Sequence, residues 1–245
     1  MKYLTRLRSL IFTLLFPFTV LALGPVVIFL GLFRGTKKLS SEVVSFWGRL
    51  CCRSVGVRVQ VIGRENIPDR GCLLLFNHSS FFDVFAIAGY IKQARFGAKA
   101  ELFKIPVFAQ AMRAVGTLPI ARNNREEVFK IYEEARQRFA QKEVFALSPE
   151  GGRFYGADLS PFKAGPFIFA MSAGAPVVPV VISGAYEALP KGAFLFNKNN
   201  WSHLITIRIL APIETKNYDE SQRKDLQQLV YERMNQTWRE SQRKS

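Results

Sequence analysis

Two histidines occur among these 245 residues, His78 and His203, and only the first stands where imidazole chemistry is natural. Asn77-His78-Ser79-Ser80-Phe81-Phe82-Asp83 follows the apolar run Cys72-Leu73-Leu74-Leu75-Phe76, which reads as a buried strand. His78 therefore sits at a strand end with a carboxylate, Asp83, five positions on. A carboxylate that takes the proton of one ring nitrogen fixes the tautomer. The other nitrogen is then free to draw a proton from a hydroxyl as a general base. In an unbroken helix, residues i and i+5 lie off one face, so the pair meets only if the chain turns between them. Ser79 and Ser80 suit a helix N-cap, which would supply that turn. The plainer alternative is a buried histidine at a strand end with Asp83 in solvent, and spacing alone does not separate the two. His203 follows Trp201-Ser202 in a polar stretch and reads as structural.

Two further polar signals stand at predicted strand ends. Val144-Phe145-Ala146-Leu147-Ser148 runs straight into Pro149-Glu150-Gly151-Gly152-Arg153, and Thr117-Leu118-Pro119-Ile120-Ala121 ends at Arg122. Glycines after Glu150 let backbone amides approach an anion closely. Arg122 and Arg153 suit bidentate binding of a phosphate. Taken singly, each arginine reads more often as solvated surface, and Glu150 as a surface ion-pair partner of Arg153. The three cysteines, Cys51, Cys52 and Cys72, show no metal-ligand spacing. They fit reduced thiols in a cytosol-facing domain, and an apolar strand makes Cys72 a poor nucleophile.

The elements that would hold these residues alternate. Strands are expected at 57–63, 72–76, 95–99, 117–121, 144–148, 176–182 and 204–210. Helices are expected at 39–56, from the His78 turn to Ile91, at 106–114, from Asn123 through Phe139, within 162–174, and from Asp219 to the end. This is an α/β pattern: a mostly parallel sheet flanked by helices. Open sheets of this kind take ligands beyond the carboxyl ends of their strands, where all three polar signals fall.

Ahead of this domain, Ser9 to Phe33 carries no charge, long enough for one membrane span. Pro17 and Gly24-Pro25 interrupt it, and both flanks are basic: Lys2, Arg6 and Arg8 before, Arg34, Lys37 and Lys38 after. Symmetric flanks suit a helical hairpin that dips into one leaflet and returns. The expected organisation is a membrane anchor over 1–38 and an α/β domain over 39–245, facing the cytoplasm. A formal charge of +15 calls for an anionic partner. Nucleic acid is disfavoured, because no aromatic-basic RNA motif or DNA-reading helix is present. A base beside phosphate-binding cations, next to a membrane anchor, points to acyl transfer onto a phosphorylated lipid.

Four blocks in order carry a family resemblance. They are Asn77–Asp83; Lys99-Ala100-Glu101-Leu102 with Gly116 to Arg122; Pro149–Arg153 with Phe162-Lys163-Ala164-Gly165; and Ala175-Pro176-Val177-Val178-Pro179-Val180. Together they resemble the 1-acyl-sn-glycerol-3-phosphate acyltransferases of phospholipid synthesis. The resemblance implies that His78 is the general base on the sn-2 hydroxyl of lysophosphatidate and that Asp83 orients it. It implies an acceptor phosphate site formed by Arg122, Glu150, Gly151 and Arg153, assisted by Lys99. It implies a thioester donor, acyl-CoA or acyl carrier protein, with no further cofactor and no metal. Backbone N–H groups of the His78 turn are then candidates to stabilise the tetrahedral oxyanion. Another lysophospholipid or a lyso-aminolipid is the alternative acceptor, and a non-catalytic anionic-lipid binder the alternative class. The third block departs from the family pattern. Ser148 stands where a large apolar residue is usual, Gly152 replaces threonine and Phe154 replaces serine, which bears on the head group more than on the reaction.

Overall fold

A computed structural model describes residues 1–33, 37–120 and 125–243. Its elements are α1 (Lys2–Gly31), α2 (Lys37–Ser54), β1 (Val57–Ile62), β2 (Cys72–Phe76), α3 (Phe82–Tyr90), β3 (Ala94–Lys99), α4 (Phe108–Ala114), β4 (Leu118–Ile120), α5 (Arg125–Ala140), β5 (Val144–Leu147), α6 (Gly165–Ser172), β6 (Val177–Ser183), α7 (Ala185–Ala188), β7 (His203–Ile209) and α8 (Arg223–Gln242). The strands form one sheet in the order β1-β7-β6-β2-β5-β3-β4. Every pairing is parallel except β6 with β7. The central β2 and β5 are buried at every position, as unbroken apolar runs must be when helices cover both faces. β1 and β7 alternate instead, matching their mixed sequences.

Two cores lie on the two faces. Phe82, Phe85, Ile87, Cys51 and Cys52 of α2 and α3 pack on one; Tyr132, Phe139, Phe169, Val230, Met234 and Trp238 of α5, α6 and α8 pack on the other. The short 3₁₀ turn Glu220–Gln222 that leads into α8 is set by a capping box in which Asp219 accepts from Ser221 and Gln222, and the Gln222 side chain returns to the Asp219 amide.

The hairpin expected within residues 1–38 does not form. Lys2–Gly31 is one helix that carries Pro17 and Pro25 inside it, roughly 45 Å long at 1.5 Å per residue. Tertiary contacts hold it through the prolines. The rings of Phe12 and Phe16 meet Phe196 at 5.2 and 5.4 Å, Thr19 accepts a hydrogen bond from the Trp47 indole at 3.0 Å, and Gly24 lies against Val107. The helix thus lies along the domain, while Leu7, Leu10, Ile11, Leu14, Phe18 and Leu21 face outward. By length and composition it is apolar enough to cross a membrane.

Helix α2 also packs differently from its apolar stripe. Its buried positions are the small residues Ser40, Ser41, Ser45, Gly48, Cys51 and Cys52. The reason is close approach to α3: Ser45 Oγ donates to the Gly89 carbonyl at 2.8 Å, and a Cβ on Gly48 would stand 2.6 Å from the Gly89 nitrogen. Val43, Val44 and Trp47 are left to line a cavity, and Phe46 is exposed.

Candidate active site

β2 ends at Phe76, and the chain then turns under the control of one carboxylate. Asp83, fully buried, accepts through Oδ2 from His78 Nδ1 at 2.9 Å, from the Ser79 amide at 2.8 Å and from the Ser80 amide at 2.9 Å. The serines are therefore not the cap; their amides are gathered by the acid in the first turn of α3. Ser80 contributes by taking the Phe82 amide on its own Oγ at 3.1 Å. Asn77 locks the turn to the sheet, donating to the Ile182 carbonyl at 3.0 Å and accepting its amide at 2.7 Å. An acceptor already holding two N–H groups takes the Nδ1 proton as well. The other ring nitrogen, Nε2, has no partner among the described residues, and His78 lines the cavity.

The Pro149–Lys163 loop grips the same histidine by its backbone. Glu150, 3% exposed, accepts from the His78 amide at 2.8 Å through Oε1 and from the Ser160 amide at 3.0 Å through Oε2. The Phe154 amide donates to the His78 carbonyl at 2.8 Å. Burial pushes the Glu150 carboxyl up to about 7, against the downward pull of those two amides. Glu150 thus faces inward and is absent from the cavity lining, unlike the phosphate-site place the resemblance gave it. It makes no ion pair with Arg153 among the described residues.

Most of the turn's amides are not free for an oxyanion either. Those of His78, Ser79, Ser80, Phe82 and Asp83 are all bonded within the protein. The same bonds that fix the base remove these donors.

That cavity, of 1210 Å³, runs from His78 between α1, α2, α3, β3 and α4. Its walls are largely apolar, with Val20, Leu23, Val27, Val43, Phe81, Phe96, Phe108 and Met112. Gly151, Gly152 and Arg153 also line it, together with Lys99, Lys163, Lys191 and Arg223; among the described residues no Asp or Glu does. Gly151 holds φ +74, a conformation open to glycine at no steric cost. Arg153 carries no hydrogen bond or ion pair to another described residue. Lys99, exposed, also lies 3.5 Å from Glu101. Arg122 lies outside the described residues.

The sequence pattern assigned no role to Lys163, Lys191 or Arg223. Lys163 had a signal in its block; Lys191 and Arg223 arrive from the loop after α7 and the start of α8 with none. The three thiols are buried and free. Burial pushes those of Cys52 and Cys72 up to about 12, which leaves them unreactive at neutral pH.

Geometry defines the class first: an α/β protein whose His–Asp pair opens at a strand end onto a lipid-sized cavity ringed by cations. The acyltransferase family profile matches residues 58–183, just over half of the chain, and the chain belongs to that family. It is 28% identical over 199 residues to the chloroplastic 1-acyl-sn-glycerol-3-phosphate acyltransferase BAT2 of Brassica napus, covering 78% of this chain and 58% of that protein. It is 27% identical over 185 residues to the 1-acyl-sn-glycerol-3-phosphate acyltransferase of Pseudomonas aeruginosa, covering 74% and 72%. The chain spans 52% to 61% of the length of the plant, algal and yeast relatives it matches. The crystal structure of the 1-acyl-sn-glycerophosphate (LPA) acyltransferase PlsC from Thermotoga maritima matches with a TM-score of 0.81 and 27% identity, over 97% of this chain and 96% of that one.

Proposed function

We propose that the protein transfers a fatty acyl group from an acyl thioester, acyl-CoA or acyl carrier protein, to the sn-2 hydroxyl of lysophosphatidate, giving phosphatidate. The observation that carries this reading is the His78–Asp83 pair at 2.9 Å on a cavity whose described lining combines many apolar side chains with several cations. Nε2 of His78 takes the proton of the acceptor hydroxyl as its oxygen attacks the thioester carbonyl. Asp83 stabilises the imidazolium that results. The tetrahedral intermediate collapses with loss of the thiolate, which recovers the proton from His78. No acyl-enzyme is needed.

The head group is read from charge. Among the described residues five cations and no carboxylate line the cavity, which suits a phosphomonoester and repels the ammonium of a lyso-aminolipid. The outward apolar face of α1 and the +15 balance fit a membrane surface with anionic lipid, where both acceptor and product reside. Buried free thiols are compatible with a catalytic domain facing the cytoplasm.

Purified protein given acyl-CoA and lysophosphatidate is expected to form phosphatidate, and His78→Ala to lose about 10²–10⁴-fold in kcat. Turnover by His78→Ala equal to wild type would end the mechanism. A non-catalytic lipid binder would show salt-sensitive vesicle binding with no transfer by either protein.

A further inference from the structure

The loop between α7 and β7 holds two aromatic rings in solvent while being firmly held itself. Phe194 is 83% exposed and Trp201 49%. Between them Phe196 is buried against Phe12 and Phe16 of α1. Asn197, also buried, donates through its side chain to the Val55 carbonyl at 2.8 Å and through its amide to the Ala188 carbonyl at 2.6 Å. Arg8 of α1 clamps the far end. It donates to the carbonyls of Trp201 at 2.8 Å and Asn200 at 2.9 Å, and its guanidinium lies 4.8 Å over the Trp201 ring. The exposure of the two rings is therefore built into the loop.

Their places are set by α1. The Phe194 carbonyl lies 3.4 Å from Thr13 Oγ1. Arg8, five residues before Thr13, stands about 140° round the helix. The loop thus passes beneath α1 and brings one aromatic residue to each flank. Leu10, on the Thr13 side of the helix, is exposed and joins that flank to the outward residues Leu14 and Phe18. Lys198, Asn199 and Asn200, exposed in the same loop, keep this level of the molecule at a polar boundary rather than in hydrocarbon. Aromatic rings beside basic side chains at the rim of an apolar surface suit the headgroup layer of a bilayer.

Charge selects the occupant. Residues 1–41 and 188–213 contain no Asp or Glu, and they carry Lys2, Arg6, Arg8, Lys191 and Lys198. An anionic bilayer neutralises such a face, whereas a second copy of the chain brings the same charge and is repelled.

We propose that the 191–201 loop docks on an anionic lipid bilayer, with Phe194 and Trp201 at headgroup level on either side of α1 and Lys198 against lipid phosphates. Lys191, in the same loop, lines the cavity, so docking sets the cavity against the surface.

The test places a nitroxide label at Phe194→Cys, at Trp201→Cys and, for reference, at Lys224→Cys, an exposed position on α8. The full chain is used, and its three native thiols are buried, so the label takes the introduced one. On adding vesicles of phosphatidylcholine with phosphatidylglycerol, labels at 194 and 201 are expected to meet dissolved oxygen more often and a water-soluble nickel chelate less often, with the label at 224 unchanged. Lys198→Gln is expected to lose about fivefold of the preference for these vesicles over pure phosphatidylcholine, the worth of one basic residue near an anionic surface. Labels at 194 and 201 as open to nickel as the one at 224, or an unchanged preference in Lys198→Gln, would overturn the proposal. Protection that appears without lipid and grows with protein concentration would overturn it too, in favour of a second copy on this face. Depth is read without turnover, so a protein that docks in this way but transfers no acyl group would count against the acceptor reading alone.

Discussion

The two segments that meet at His78 are built in opposite ways. The Asn77–Asp83 turn is closed on itself: one buried carboxylate takes the imidazole and two amides, and Asn77 is bonded twice to β6. The Pro149–Lys163 loop commits its backbone and Glu150 to the fold, yet turns the Arg153 and Lys163 side chains into the cavity without protein partners among the described residues. A general base acts through orientation, so its surroundings are over-determined. Anion binders act through charge that only the ligand neutralises, so theirs are left open. Changes in the turn should therefore strike stability and kcat together, and changes at the cavity's cations should strike KM alone.

The largest effect is expected from Asp83→Ala. It releases Nδ1 and strands the Ser79 and Ser80 amides in a buried turn, which should lower stability by about 2–4 kcal/mol and kcat by about 10²–10⁴-fold. Urea unfolding and steady-state kinetics read the two. A variant that kept wild-type stability would show that the turn does not depend on this acid and would break the contrast at its stronger end.

Arg153→Ala is expected to raise the acceptor KM about 10–100-fold, the worth of a charge-assisted contact to phosphate, with little change in kcat. Its unfolding midpoint should match wild type, because the guanidinium bonds to no described residue. Loss of stability comparable to Asp83→Ala would mean that the cavity's cations are as structurally committed as the turn.

How far the sequence carried this site follows the same division. The uninterrupted apolar runs at 72–76 and 144–147 revealed buried parallel strands, because nothing else accommodates such runs in an α/β pattern. His78 with Asp83 was legible because one turn holds both. Proline, by contrast, misled about α1: the sequence shows the lost amides of Pro17 and Pro25, while the ring contacts to Phe196 and the Trp47 bond that keep the helix whole come from residues far along the chain. Lys191 and Arg223 were hidden for the same reason, since tertiary proximity leaves no local pattern. Glu150 was found by its motif and misplaced by it, for a motif names a residue without saying which way it faces.

Glu150 gives the most particular prediction. Its carboxyl is raised by burial to about 7 from an unperturbed value of 4.5, so the folded state favours the protonated form. The stability this group contributes is then greatest below about pH 4.5 and is lost as pH rises toward 7, by up to about 3 kcal/mol. Glu150→Gln cannot titrate. It keeps one acceptor and opposes a donor NH₂ to one of the two amides, so its baseline stability is lower, but its pH slope should vanish. The stability difference, wild type minus Glu150→Gln, is expected to shrink steadily between pH 5 and 7.5 in urea titrations. A difference that stayed flat, or grew, would mean that Glu150 is ionised throughout that range and that its two amide bonds outweigh its burial, which would make the bracket on His78 an anionic one and move the loop closer in character to the turn it holds.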